Sequence, residues 1–239
     1  MTTREQILER VRKALGRTAN LPEAAMPPFD PTGIMPPLAT ENYQARFQVE
    51  WEKVAGVCHR ASTINELEAA LQEILTGCGP HAVVLSRNPL LAELSLADRL
   101  RAAGKSVMTW EGAPTNAHSA SLSEFQKASF QAKVGITGVD YVLAESGTLV
   151  LSSATEGSMM ASLAPPVHVA LYRRSQLVGS LDDLLAKLSI LSNPDQLTAG
   201  RSVVLITGTS RSADIEQILI RGVHGPGEVH AILVEDTCR

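Results

Sequence analysis

Cysteine is scarce in this chain. Its 239 residues include three, Cys58, Cys78 and Cys238, and no CxxC pair. An odd, scattered count argues against a disulfide scaffold, a zinc ribbon or a self-contained iron–sulfur site, and fits reduced thiols in or near a core. Redox chemistry near such a protein has to be carried by another chain or a bound cofactor. Basic excess is missing too: the formal net charge is −4, so nucleic acid is not an expected partner. No apolar run is long enough for a membrane span. The longest uncharged stretch, Gly157 to Tyr172, is interrupted by Pro165, Pro166 and His168. The segment from Met1 to Gly16 is charged throughout and has no signal-peptide core, so a cytoplasmic location is expected. Three nucleotide and nucleophile signatures are absent as well: a Walker A loop, a GxGxxG turn and a GxSxG elbow.

What is present is an ordinary folding composition, 44% apolar and 19% charged. Thr3 to Gly16 reads as a short amphipathic helix with Ile7, Leu8, Val11 and Leu15 on one side. Thr3 and Gln6 form its capping box. Six of the 13 prolines follow between Pro22 and Pro37, which makes that stretch an extended linker. Residues 1–38 are therefore expected to form a helical arm, packing on the main body or on a second copy, and residues 39–239 a single α/β domain.

Within that domain a helix is predicted over Glu41 to Val57, with Tyr43, Phe47, Trp51 and Val54 on its core face. Another, capped by Thr63 and Glu66, carries the stripe Ile64, Leu67, Leu71, Ile74 and Leu75. Short strands then alternate with helices. Strands are expected at 82–85, 106–110, 141–144, 148–152, 167–172, 202–206 and 229–234. Helices are expected after Ser86 and Asn88, at Ser121 to Gln131 with a Ser121/Glu124 box, and at Ser180 to Leu191. The alternation predicts a mostly parallel sheet flanked by helices, with one antiparallel pair near residue 146.

Three segments can hold chemistry beyond strand ends. In the first, Glu145 ends an apolar strand, Gly147 permits a sharp turn, and Ser146 and Thr148 offer hydroxyl and amide donors to an anion. Two roles stand open for Glu145: nucleophile or general base, or an acid capping nearby amides. Asp140, ahead of its strand, reads as a structural cap. In the second, the strand ending at Ile206 runs into Gly208, Thr209, Ser210, Arg211 and Ser212. This reads as a helix N-terminus suited to a phosphate or carboxylate, or else as a capped helix with Arg211 paired to Asp214 or Glu216. In the third, Gly225-Pro226-Gly227 forces a tight loop between His224 and Glu228-Val229-His230. With His168 these residues match no metal spacing, so imidazoles bonded to the backbone are expected, with ligand contact by His168 or His224 left open.

GITGVDYVLAESGTLVLSS at 135–153, PPVHVAL at 165–171 and TGTSRSADIEQILIRGVHGPGEVHAILVED at 207–236 occur in that order. Together they resemble the lactate-utilisation protein C family, whose domain is called LUD. The likeness is close over about the last hundred residues and looser over the arm. It implies a sugar-phosphate isomerase/coenzyme A transferase-like α/β fold and a part in oxidising L-lactate to pyruvate. It implies no cofactor in this chain, with iron–sulfur clusters on partner subunits. Ala144-Glu145-Ser146-Gly147 is also similar in form to the catalytic glutamate segment of coenzyme A transferases. Three expectations follow. The first is a small-anion-binding accessory subunit that docks on cluster-bearing partners. The second is a stand-alone transferase- or isomerase-like enzyme using Glu145. The third is a non-catalytic binding module that associates through its N-terminal arm.

Overall fold

The computed structural model describes residues 3–14, 39–76, 82–110, 118–187, 202–213 and 219–238. The chain divides into two units, Met1–Pro37 and Leu38–Arg239. In the first unit, helix α1 spans Arg4–Ala14. Its start is the reciprocal cap read from the sequence: the Gln6 amide donates to Thr3 Oγ1 (3.3 Å) and the Thr3 amide to Gln6 Oε1 (3.1 Å). The prolines and Gly16 lie outside the described residues.

The second unit is built on six parallel strands in the order β1-β12-β7-β4-β2-β3. These are β1 (Val57–Ala61), β2 (Val83–Leu85), β3 (Val107–Thr109), β4 (Val134–Thr137), β7 (Val167–Tyr172) and β12 (Glu228–Val234). The β2, β4 and β7 side chains are buried throughout, as is β12 after Glu228. Continuous apolar runs are what such two-sided burial demands. One face packs against α3 (Ile64–Thr76), α4 (Pro89–Glu93) and α5 (Leu96–Ala102) through Leu67, Leu71, Leu90, Leu96 and Leu100. The other face receives Phe47 and Trp51 of α2 (Tyr43–Lys53) over Ala170, Tyr172, Ala231 and Leu233. Helices α6 (His118–Gln131) and α8 (Met160–Leu163) reach that face at Val84, through Phe125 and Ala161.

A second sheet of four strands, β8-β5-β6-β9, stands apart from the first. It comprises β5 (Tyr141–Leu143), β6 (Thr148–Ser152), β8 (Leu177–Val178) and β9 (Val203–Ile206). The expected antiparallel pair is β5 with β6, but it belongs to this sheet, and β9 adds a second antiparallel pairing. Val142, Leu149 and Leu151 join the α2 core, while Leu143, Val150 and Val178 lie under Leu184 of α9 (Leu181–Lys187). The predicted extension of α9 to Leu191 lies outside the described residues.

Two predicted helices start or stop elsewhere. The helix expected to reach Val57 ends at Lys53, because Ala55 takes a positive φ of 64° and a Cβ on Gly56 would strike the Trp51 indole. The chain then enters β1, a strand the hydrophobic pattern does not announce. Helix α6 begins at His118, so Ser121 lies inside it and is not its cap.

Candidate functional site

The turn between β5 and β6 carries Glu145. Backbone bonds from Ala144 to Val178 (2.9 Å) and from Glu145 to Gly179 (3.0 Å) hold this turn beside β8 and the start of α9. There Glu145 Oε1 accepts the Leu181 amide at 2.6 Å, while Ser180 and Asp183 cap each other reciprocally. The carboxylate satisfies an orphan N–H and complements the helix dipole, so the capping role is realised. Gly147 has a φ of +61°, and a Cβ there would sit 2.5 Å from the Trp51 amide nitrogen; only glycine fits. Ser146, Thr148 and Thr207 form a hydroxyl chain with 2.8 Å steps. Asp140 is the structural cap expected of it, accepting the Ser152 amide (2.6 Å) and the Thr155 hydroxyl (3.0 Å).

The second segment does not open a helix. After Gly208 (φ +79°), residues 211–213 form β10 (Arg211–Ala213), paired antiparallel with β11 (Leu219–Arg221). Loop amides are spent on carbonyls: Ser210 donates to Pro226 (2.8 Å), and the Gly222 amide donates to the Ser210 carbonyl (3.0 Å). In place of the expected cradle of free amides at a helix start, residues 211–213 pair with 219–221. Arg211 is exposed and stands in register with Arg221. Its proposed partners Asp214 and Glu216 lie outside the described residues.

The histidines fall into three settings. His168 is fully buried on β7; its Nε2 meets Thr137 Oγ1 at 2.9 Å and its Nδ1 has no partner among the described residues. Burial, and secondarily His230, push its pKa down to about 3, so it is a neutral imidazole. His230 bonds to side chains instead of the expected backbone: its Nε2 meets Glu228 Oε1 at 2.8 Å and its Nδ1 meets His59 Nε2 at 2.9 Å. A carboxylate only accepts, so His230 Nε2 donates to Glu228, and a neutral His230 ring would then accept from His59 at Nδ1. His59 is a member of this relay that the sequence pattern did not single out. His224 is exposed in the bend at 222–225 and makes no side-chain hydrogen bond among the described residues. Among the described residues no group of three or more His, Cys, Asp or Glu is arranged to hold a metal ion.

The sheet topology marks a further place. From β2 the chain moves to β3 on one side, whereas from β4 it proceeds to β7 on the other. This reversal between β2 and β4 is the topological switch point, where open parallel sheets present ligand sites beyond the carboxyl ends of their strands. Ser86, Arg87 and Asn88 leave β2 there, and Gly138 leaves β4. Into this space α7 (Ser153–Glu156) delivers Glu156, whose exposure is 0%. Glu156 Oε2 accepts the Ser86 hydroxyl at 2.5 Å, and Oε1 accepts the Asn88 side-chain amide. A side chain on Gly138 would collide with Asn88. Burial raises the Glu156 pKa above the ordinary carboxylate value; donors from Ser86, Asn88 and the Gly138 backbone oppose it, and Asp140 adds to it. Perturbed buried acids at strand ends are candidates for function. Nothing local in the sequence announces this one, because its partners lie 68 and 70 residues away.

Residues 45–234 match the family model described as the LUD domain. The lactate utilization protein C of Bacillus subtilis (strain 168) is 32% identical over 243 residues, covering 97% of this chain and 96% of its own. That of Geobacillus kaustophilus (strain HTA426) is 30% identical, covering 98% and 96%. The protein YkgG of Escherichia coli (strain K12) is 31% identical, covering 99% and 100%. The crystal structure of a DUF162 family protein from Deinococcus radiodurans has a similar fold. Its TM-score is 0.53, and the match covers 83% of this chain and 99% of that one, at 19% sequence identity.

Proposed function

Because the chain belongs to the LUD domain family, we propose that it serves L-lactate utilisation, as a subunit beside cluster-bearing partners that oxidise lactate to pyruvate. The observation that carries this reading is kinship over nearly the whole chain with proteins named lactate utilization protein C. The thiol inventory agrees with it. Lactate surrenders two electrons and two protons on becoming pyruvate, and three scattered cysteines without a CxxC pair offer no cluster-ligand set to receive the electrons. Cys58 is no reactive substitute: burial, chiefly, pushes its pKa up to about 12. On this reading the electrons pass to clusters on other chains, and this chain's share is to hold a small anion and dock.

Growth tests the reading. A host that carries the cluster-bearing partners but lacks this gene should fail on L-lactate and recover when the chain is supplied. A tagged copy should co-purify with the partners. Undiminished growth of the deletion strain on L-lactate would overturn the proposal.

A further inference from the structure

Four arginines stand along the carboxyl edge of the six-stranded sheet, and three are committed to carboxylates. Arg60 and Arg174 pair with Glu235 at 2.9 and 2.7 Å, and Arg173 pairs with Glu93 at 2.7 Å. Arg87, at the switch point, differs from them. It is exposed, it has no carboxylate partner among the described residues, and its one side-chain bond is from Nη2 to the Ala154 carbonyl at 2.9 Å. A guanidinium has five donors, so most of its fork is unengaged among the described residues.

This arginine is also held in place. Its own amide donates to the Glu156 carbonyl (3.2 Å), and its guanidinium rests on Ala154 of the same short helix, α7. The residues on either side, Ser86 and Asn88, donate into the buried Glu156 carboxyl. Asn88 also accepts the Leu90 amide (3.0 Å) and so ties the loop to α4. The β2 loop is thus fastened on both sides of Arg87, while the charged fork faces outward at the place where parallel sheets take ligands.

We infer that Arg87 is the carboxylate-binding residue of a small-acid site at the β2/β4 switch point, with Glu156 as the positioning residue that fixes its loop. The ligand class, a 2-hydroxy or 2-oxo monocarboxylate, rests on the lactate reading above; the place does not. A planar fork meeting a planar carboxylate in two parallel bonds is the geometry that arginine provides and lysine does not. The site needs neither the hairpin at Arg211 nor the turn at Glu145.

Calorimetric titration of the full chain with L-lactate, pyruvate, acetate and inorganic phosphate tests this. The wild type should bind lactate or pyruvate saturably, more tightly than acetate or phosphate. Arg87→Ala should weaken that binding at least tenfold. Arg87→Lys should recover only part of it, and Arg211→Ala should change nothing. Glu156→Gln, measured well below its melting temperature, should raise Kd several-fold with an unaltered circular dichroism spectrum; a purely structural Glu156 would lower the melting temperature and leave Kd alone. Wild-type affinity in Arg87→Ala, no binding of either acid by the wild type, or a preference for phosphate would each overturn the inference. The growth test separates this failure from the broader one. If Arg87→Ala supports growth on lactate as the wild type does, the site is wrong and the lactate reading stands; if the wild type itself fails to restore growth, the lactate reading falls.

Discussion

Glu145 and Glu156 are eleven residues apart and occupy opposite kinds of environment. Glu145 is half-buried at a hairpin tip and gives one carboxylate oxygen to the first amide of α9. Glu156 is enclosed, with both oxygens engaged by side chains that leave the end of β2. The first acid terminates a local helix. The second joins α7 to a loop of the central sheet and stands behind an arginine that lacks an acidic partner among the described residues. A conspicuous motif, AESG, therefore marks a capping position, whereas the acid at the ligand-binding end of the parallel sheet carries no motif. Chemistry in such folds follows topology more closely than local sequence.

Alanine substitutions should separate the two acids most widely. Glu156→Ala strands the buried Ser86 and Asn88 donors at about 1–3 kcal/mol each. A total near 3 kcal/mol corresponds to a fall of roughly 6–12 °C in Tm for a domain of this size. Glu145→Ala removes one cap, worth about 1 kcal/mol, or roughly 2–4 °C. Thermal unfolding of the two variants checks this, and equal losses would erase the distinction.

The pH dependence of stability sharpens it. Burial depresses the His168 pKa to about 3 from an ordinary 6.5, so the folded state resists its protonation. The resulting stability is present above pH 6.5 and is lost as pH falls toward 3; between pH 6.5 and 5 the loss is about 2 kcal/mol. Glu156 acts in the opposite sense. Its folded pKa is raised, so its favourable contribution is present below the ordinary carboxylate value and lost as pH rises through the folded one. Tm measured against pH should show a shallower acid limb in His168→Asn and a shallower rise-side decline in Glu156→Gln.

The smallest effect is the most diagnostic for the hairpin. Glu145→Gln keeps an oxygen for the Leu181 amide, so its cost should stay within about 0.5 kcal/mol. Any loss of lactate-dependent growth in that variant would then report chemistry at Glu145 instead of folding.

The fold was legible where burial is two-sided. Val83–Leu85, Val167–Tyr172 and Val229–Val234 are apolar but for His168 and His230 because helices or a second sheet cover both faces of their sheet, and each reads as a strand. β1 was not legible, because an edge strand that alternates partly exposed Cys58, His59 and Arg60 has no apolar signature. Arg211–Ala213 reads as a helix start in sequence, since Gly-Thr-Ser carries the same residues as an N-cap and only the pairing with Leu219–Arg221 decides otherwise. The candidate site divides along the same line. Asp140 could be assigned from sequence because it stands just ahead of its strand, and its acceptors serve Ser152 and Thr155, 12 and 15 residues on. Glu156, whose partners come from another strand end far back in the chain, could not.

The most direct test is one titration of L-lactate into Arg87→Ala and Glu145→Gln side by side with the wild type. The account predicts that binding is lost in Arg87→Ala and retained in Glu145→Gln. Retention in the first with loss in the second would move the site to the hairpin and contradict it.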